Sequence, residues 1–181
     1  MAAELSLLTP DFRKQMMKAL AKAKEQRLNI QVLTTVLSPM EQASLWKQGR
    51  SKIDAELKMM ALENAKAPYL AECLRLAQPQ GTNIVTELLP GQSWHQWGEA
   101  ASLIWVEGTR KINWSSRDNH GGLNGYHAFA KILEEFSLVC CGEFENTDEA
   151  WRTAQLRHDR YPSDVYDLIH IDAEMKKRFF R

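Results

Sequence analysis

The chain lacks several features that would point quickly to a function. Its 23 Lys and Arg residues offset 23 Asp and Glu residues, so the broad attraction behind non-specific nucleic-acid binding is missing. A nucleic-acid partner is not expected. It also lacks a cysteine pair at metal-binding spacing. Cys73, Cys140 and Cys141 are odd in number, and a bridge between the adjacent two would be strained. Buried, reduced thiols are expected rather than a disulfide framework or a cysteine zinc site. No apolar run approaches the roughly eighteen residues of a membrane span. The opening Met1-Ala-Ala-Glu-Leu-Ser-Leu-Leu-Thr-Pro has no basic region followed by a long apolar stretch. The expectation is a chain without membrane span or Sec signal.

What the chain does have is enough apolar material for a core, 44% of 181 residues, and a length that suits one domain over residues 1–181. Thr9-Pro10-Asp11 starts a helix in which Phe12, Met16, Leu20 and Ala23 recur at helical spacing. Ile30 to Val36 reads as a strand, and Ser38-Pro39-Met40-Glu41 as the capped start of a helix reaching about Gly49. Helical pattern returns from Ser51 to Gln78, broken at Ala67-Pro68. From Asn83 the character changes to strands: Ile84 to Leu88, Ala100 to Val106 and Lys111 to Trp114, with turns at Pro90-Gly91 and Glu107-Gly108. Asn119 to Gly125 reads as a loop, Tyr126 to Phe136 as a helix and Glu149 to Leu156 as a short helix. Asp167 to Asp172 reads as a half-buried strand, followed by a basic tail over 173–181. Helices over about 10–78 precede a sheet-containing part over about 83–172 without regular alternation. The class is therefore α+β, a small antiparallel sheet flanked by helices.

Two of the five histidines stand out. His95 lies in Pro90-Gly91-Gln92-Ser93-Trp94-His95-Gln96-Trp97-Gly98-Glu99-Ala100, where a turn, two tryptophans and a small-residue strand would set an imidazole at a sheet rim between aromatic walls. The alternative is that Trp94 and Trp97 simply pack a hairpin. His170 follows Asp167 by three residues. A carboxylate beside a metal-bound imidazole can act as general base toward a metal-bound water, whose pKa falls to about 7 in favourable sites. Without a metal the pair is an ordinary surface contact. His120, His127 and His158 read as structural or surface residues.

With these residues in view, the chain resembles the LAS-type zinc peptidases, which include VanY-like D-Ala-D-Ala carboxypeptidases and the L-alanyl-D-glutamate endopeptidases of phage endolysins. The resemblance runs from about Leu8 to Ile171. It takes in the passage Thr34-Thr35-Val36-Leu37-Ser38-Pro39-Met40-Glu41-Gln42, Gly49-Arg50-Ser51 and Ala67-Pro68-Tyr69-Leu70-Ala71-Glu72-Cys73-Leu74, and is most specific around His95. It implies the LAS metallopeptidase fold, peptidoglycan stem peptides as ligand, zinc held by His95 and His170, Asp167 as the catalytic carboxylate, and a cleft that includes Gln42, Trp94 and Trp97. It also implies synthesis in a bacterial or phage-infected cytoplasm, with action in the periplasm through a holin, a dedicated secretion machine or lysis.

Two positions depart from that pattern. The family's zinc-binding aspartate, seven residues after the first histidine, falls on Ser102. A hydroxyl is a far poorer zinc ligand than a carboxylate, so any zinc would be held weakly. The arginine that the family places before the Ser-Pro helix, where it binds substrate and steadies the oxyanion, falls on Leu37. Losing such a donor costs on the order of a hundred- to a thousandfold in rate. Glu99, Arg50 and Asp172 are the residues that could compensate, although strand parity puts Glu99 on the face opposite Ser102. The expectation is a degenerate peptidase that recognises stem peptides with impaired or lost hydrolysis. The alternatives are an active carboxypeptidase or endopeptidase with a rearranged ligand set, and a non-enzymatic interaction or inhibitory module whose tryptophans anchor a protein partner.

Overall fold

A computed structural model describes residues 4–108, 111–117, 122, 124–143 and 147–180. The fold is α+β, with a five-stranded antiparallel sheet flanked by helices. The chain forms two compact units, each made of two stretches: Met1–Val36 with Gly98–Arg160, and Leu37–Trp97 with Tyr161–Arg181.

The first unit holds every strand among the described residues. Helix α1, Pro10–Glu25, starts with proline in its first turn and buries Phe12, Met16, Ala19 and Ala23. It leads into β1, Ile30–Thr34, which pairs with the long β2, Ala100–Glu107. On its other side β2 pairs with β3, Lys111–Asn113, and with β5, Thr153–Gln155, which in turn pairs with β4, Val139–Cys140. Helix α6, Gly125–Glu135, closes the core by packing Phe129, Ile132 and Leu133 with the buried face of α1 and with Leu103 and Trp105 of β2. Asn124 caps α6 by accepting from the N–H groups of Tyr126 and His127. Inside, the Tyr126 hydroxyl accepts from Trp105 N–H at 3.1 Å and donates to the Asn113 carbonyl. A buried phenol thereby ties α6 to two strands.

The second unit is helical. Ser38 and Glu41 form a reciprocal capping box that opens α2, Pro39–Lys47, and Ser51 and Asp54 do the same for α3, Lys52–Asn64. Helices α4, Pro68–Leu76, α5, Trp94–Trp97, and α8, Leu168–Phe179, complete it.

Four elements differ from the sequence reading. Ile84 to Leu88 forms no strand; Ile84 and Val85 are exposed, and its backbone is served by side chains, with Gln42 donating to the Leu88 carbonyl and Thr86 accepting from Leu88 N–H. Asp167 to Asp172 is not a strand but the start of α8. Ile171, Asp172 and Met175 turn inward at helical spacing, while Ile169, the other half of the apparent alternation, is 53% exposed. The expected basic tail is largely the end of that helix, where Lys176, Lys177 and Arg178 complement the negative end of its dipole. Glu149 to Leu156 is split between α7, Asp148–Trp151, and β5. His120 and most of the expected loop at 119–125 fall outside the described residues.

The cysteines carry free thiols, with Cys73 and Cys140 buried. Burial pushes the Cys73 thiol up to about 11. No helix among the described residues is long and apolar enough to cross a membrane.

Within the second unit, Asp172 on α8 is buried and accepts the Leu70 N–H at 2.8 Å, filling an open donor at the start of α4. Desolvation raises its pKa against the pull of that hydrogen bond. A carboxyl raised in the folded state gives stability that is full below the ordinary aspartate value of about 3.9 and declines as pH rises through the folded value. Urea unfolding of wild type and Asp172→Asn should show the difference moving toward the asparagine protein from about pH 4 to about pH 7. A difference independent of pH would count against burial as the dominant influence.

Candidate functional site

The segment from Leu88 to Trp97 is shaped by amides instead of by a sheet. Gln42 on α2 donates its amide to the Leu88 carbonyl at 2.7 Å and accepts from the Gln96 amide at 3.0 Å. Gln96 in turn accepts from the N–H groups of Gly91 and Ser93. Gly91 stands at φ +81°, and a Cβ there would come within 2.3 Å of Ile171. Glycine is required at this turn on both counts. The Trp97 indole N–H donates to the Gly91 carbonyl at 2.9 Å, which ties the short helix α5 back to the turn. Gln42, read from the resemblance as a cleft residue, is a buried clamp on this loop.

On this frame sit His95, 9% exposed, and the tryptophans Trp94 and Trp97, 2% and 5% exposed. The tryptophans are packing residues rather than open anchors. The Trp97 ring lies 5.0 Å from Tyr166 at 15°, and Tyr166 lies 4.5 Å from His170 at 24°. Trp94 meets both Trp97 and Tyr166 edge-on. Arg178 covers Trp97 from 5.3 Å and donates to its carbonyl at 2.8 Å. The result is a graded stack, buried at Trp97, half-buried at Tyr166 and open to solvent at His170. Tyr166 and Arg178 carry no motif and could be assigned to the stack only once α8 was known to be a helix.

Asp167 is the N-cap of α8, and its carboxylate accepts the His170 N–H at 2.8 Å. The spacing of three residues that suggested a base beside a histidine is thus also the spacing of a helix cap. Leu37, half-buried, immediately precedes the α2 cap Ser38 and offers no charge. Ser102 lies in β2 of the first unit, opposite Thr34 and Thr153. His127 stacks on Trp151 at 4.0 Å, and His158 is exposed.

The residues that could make good the two departures are engaged. Glu99 is buried and paired with Arg157 at 2.6 Å. Arg50 is paired with Glu87 at 2.5 Å, donates to the Trp46 carbonyl and lies over the Trp46 ring. Asp172 holds the start of α4. Among the described residues, no three His, Cys, Asp or Glu side chains are grouped so as to hold a metal ion. A hydrolytic zinc site uses three strong protein donors. In the ligand set that the resemblance implies, the third donor is the hydroxyl of Ser102, a weaker zinc ligand than a carboxylate.

No protein-family model and no curated protein matches this chain.

Three substitutions at two residues separate scaffold from chemistry. Gln42→Met would strand the Gln96 amide and the Leu88 carbonyl, so urea unfolding should show a loss of about 1–3 kcal/mol; unchanged stability would return Gln42 to a ligand-binding role. Asp167→Ala should cost about 1 kcal/mol through loss of the cap, while Asp167→Asn should cost only a few tenths. Equal loss in both would mean that the carboxylate's charge, and not its capping geometry, is what matters.

Proposed function

We propose that this chain is a peptide-binding descendant of the zinc peptidases it resembles, one that recognises bacterial cell-wall stem peptides and does not hydrolyse them. What carries this reading is the state of the would-be replacements: with Leu37 and Ser102 in the family's arginine and aspartate positions, Arg50, Glu99 and Asp172 are each tied to another partner. Hydrolysis by this mechanism needs a metal held tightly enough to lower the pKa of its water and a cation or donor facing the oxyanion. Binding needs neither. The open end of the stack, with Tyr166 half-buried and His170 exposed, offers a flat face and hydrogen-bonding edges to a peptide. In this reading any zinc binds weakly, through His95 and His170, and the ligand is a muropeptide.

The test sets binding beside cleavage. Calorimetry with purified disaccharide-tetrapeptide should show saturable binding by the wild-type protein, and mass spectrometry of the same mixture with added zinc should show intact ligand. The double variant Leu37→Arg, Ser102→Asp should begin to release product. Chelator-sensitive cleavage by the wild type would overturn the loss of hydrolysis, and absence of binding would overturn the ligand.

A further inference from the structure

The first unit carries a groove that the proposed peptide site does not use. It has a volume of about 890 Å³ and follows strand β1 along the edge of the sheet. Among the described residues no strand pairs with the outer edge of β1. The groove is lined from both faces of that strand. Val32 and Ile30 belong to the face that packs toward α1, whereas Leu33 and Gln31 alternate to the other, and all four line it. A cavity seen by both faces of one strand wraps its edge, which is the space an added strand would fill.

The backbone supports that geometry. Leu103 N–H points to Arg152 on the β5 side of β2, and Val106 N–H points the other way, to the Asn29 carbonyl. By alternation Ile104 faces β1, so its partner Gln31 turns inward to the ladder. Val32, opposite Leu103, turns its N–H and C=O outward. Edge strands are ordinarily blunted by inward charge, proline or a covering element. Here the strand has a register irregularity between Val32 and Thr34, but its residues Ile30, Val32 and Leu33 are apolar, and Leu33 is 46% exposed.

The charge at the groove selects the occupant. Lys24 and Arg27 line it and are exposed; among the described residues they form no ion pair, and no Asp or Glu lines the groove. A second copy of the chain would bring the same cations to the same place, which like-charge repulsion disfavours. We propose that the outer edge of β1 is a docking site for an extended peptide of alternating apolar and acidic residues, which adds to the sheet as a further strand. Its backbone bonds to Val32, its apolar side chains meet Leu33 on one face of the sheet, and its carboxylates, on the alternate face beside α1, meet Lys24 and Arg27.

The full-length chain can be tested with a fluorescein-labelled peptide of about seven alternating Val and Asp residues, close to the length of a typical strand. Anisotropy should rise saturably, and the corresponding Val–Lys peptide should bind at least about tenfold more weakly. Val32→Pro removes an outward N–H without breaking a bond to β2, a position where edge strands accept proline, and should weaken binding about tenfold. The exposed pair Lys24→Glu, Arg27→Glu should reverse the preference between the two peptides, and it keeps the test decisive if the proline variant fails to fold. No saturable binding, or unchanged binding by a folded Val32→Pro protein, would overturn the proposal. Binding of oleate with no binding of either peptide would assign the groove to a lipid instead, and a wild-type dimer dispersed by Val32→Pro would assign the edge to a second copy.

Discussion

Buried backbone must find partners, and in the second unit that requirement is met by two glutamines where a sheet would ordinarily meet it. Gln42 and Gln96 serve the Leu88 carbonyl and the N–H groups of Gly91 and Ser93. The turn at Gly91 in turn receives the Trp97 indole. Trp94, His95 and Trp97 stand on the segment that this network shapes. A buried amide pair is directional as well as stabilising, because each amide left without its partner costs more than the bond itself contributes.

The N-cap and first five residues of helix α8 perform three jobs. Asp167 caps it, Asp172 reaches the start of α4, and His170 extends the ring stack begun by Trp97. This sharing bears on function. Asp167 and His170 thus each have a structural role that invokes no reaction: the carboxylate caps α8, and the imidazole stacks on Tyr166.

Much of the fold was legible from local signals. Pro10, the Ser38-Pro39-x-Glu41 box and the Ala67-Pro68 break mark helix ends through short-range chemistry, and these helices begin where those signals stand. The errors were equally local in origin. Ile84 to Leu88 has the composition of a strand, but a strand needs a neighbour, and here its backbone bonds to side chains. In Asp167 to Asp172, two isoleucines two apart mimicked a sheet period, whereas one of them faces solvent. The short strands β4 and β5, of two and three residues, are too brief to carry a period of their own.

By itself the sequence determined the α+β class, the capped helices, the neutral charge balance and the uncharged side chains at Leu37 and Ser102. These are properties of residue type and short spacing, and no packing can add a charge to leucine or a carboxylate to serine. Only the tertiary structure decided that Arg50, Glu99 and Asp172 are engaged, that Trp94 and Trp97 are buried, and that β1 leaves an edge open beside Lys24 and Arg27. Each of those depends on which residues distant in the chain become neighbours, and local sequence carries no record of that.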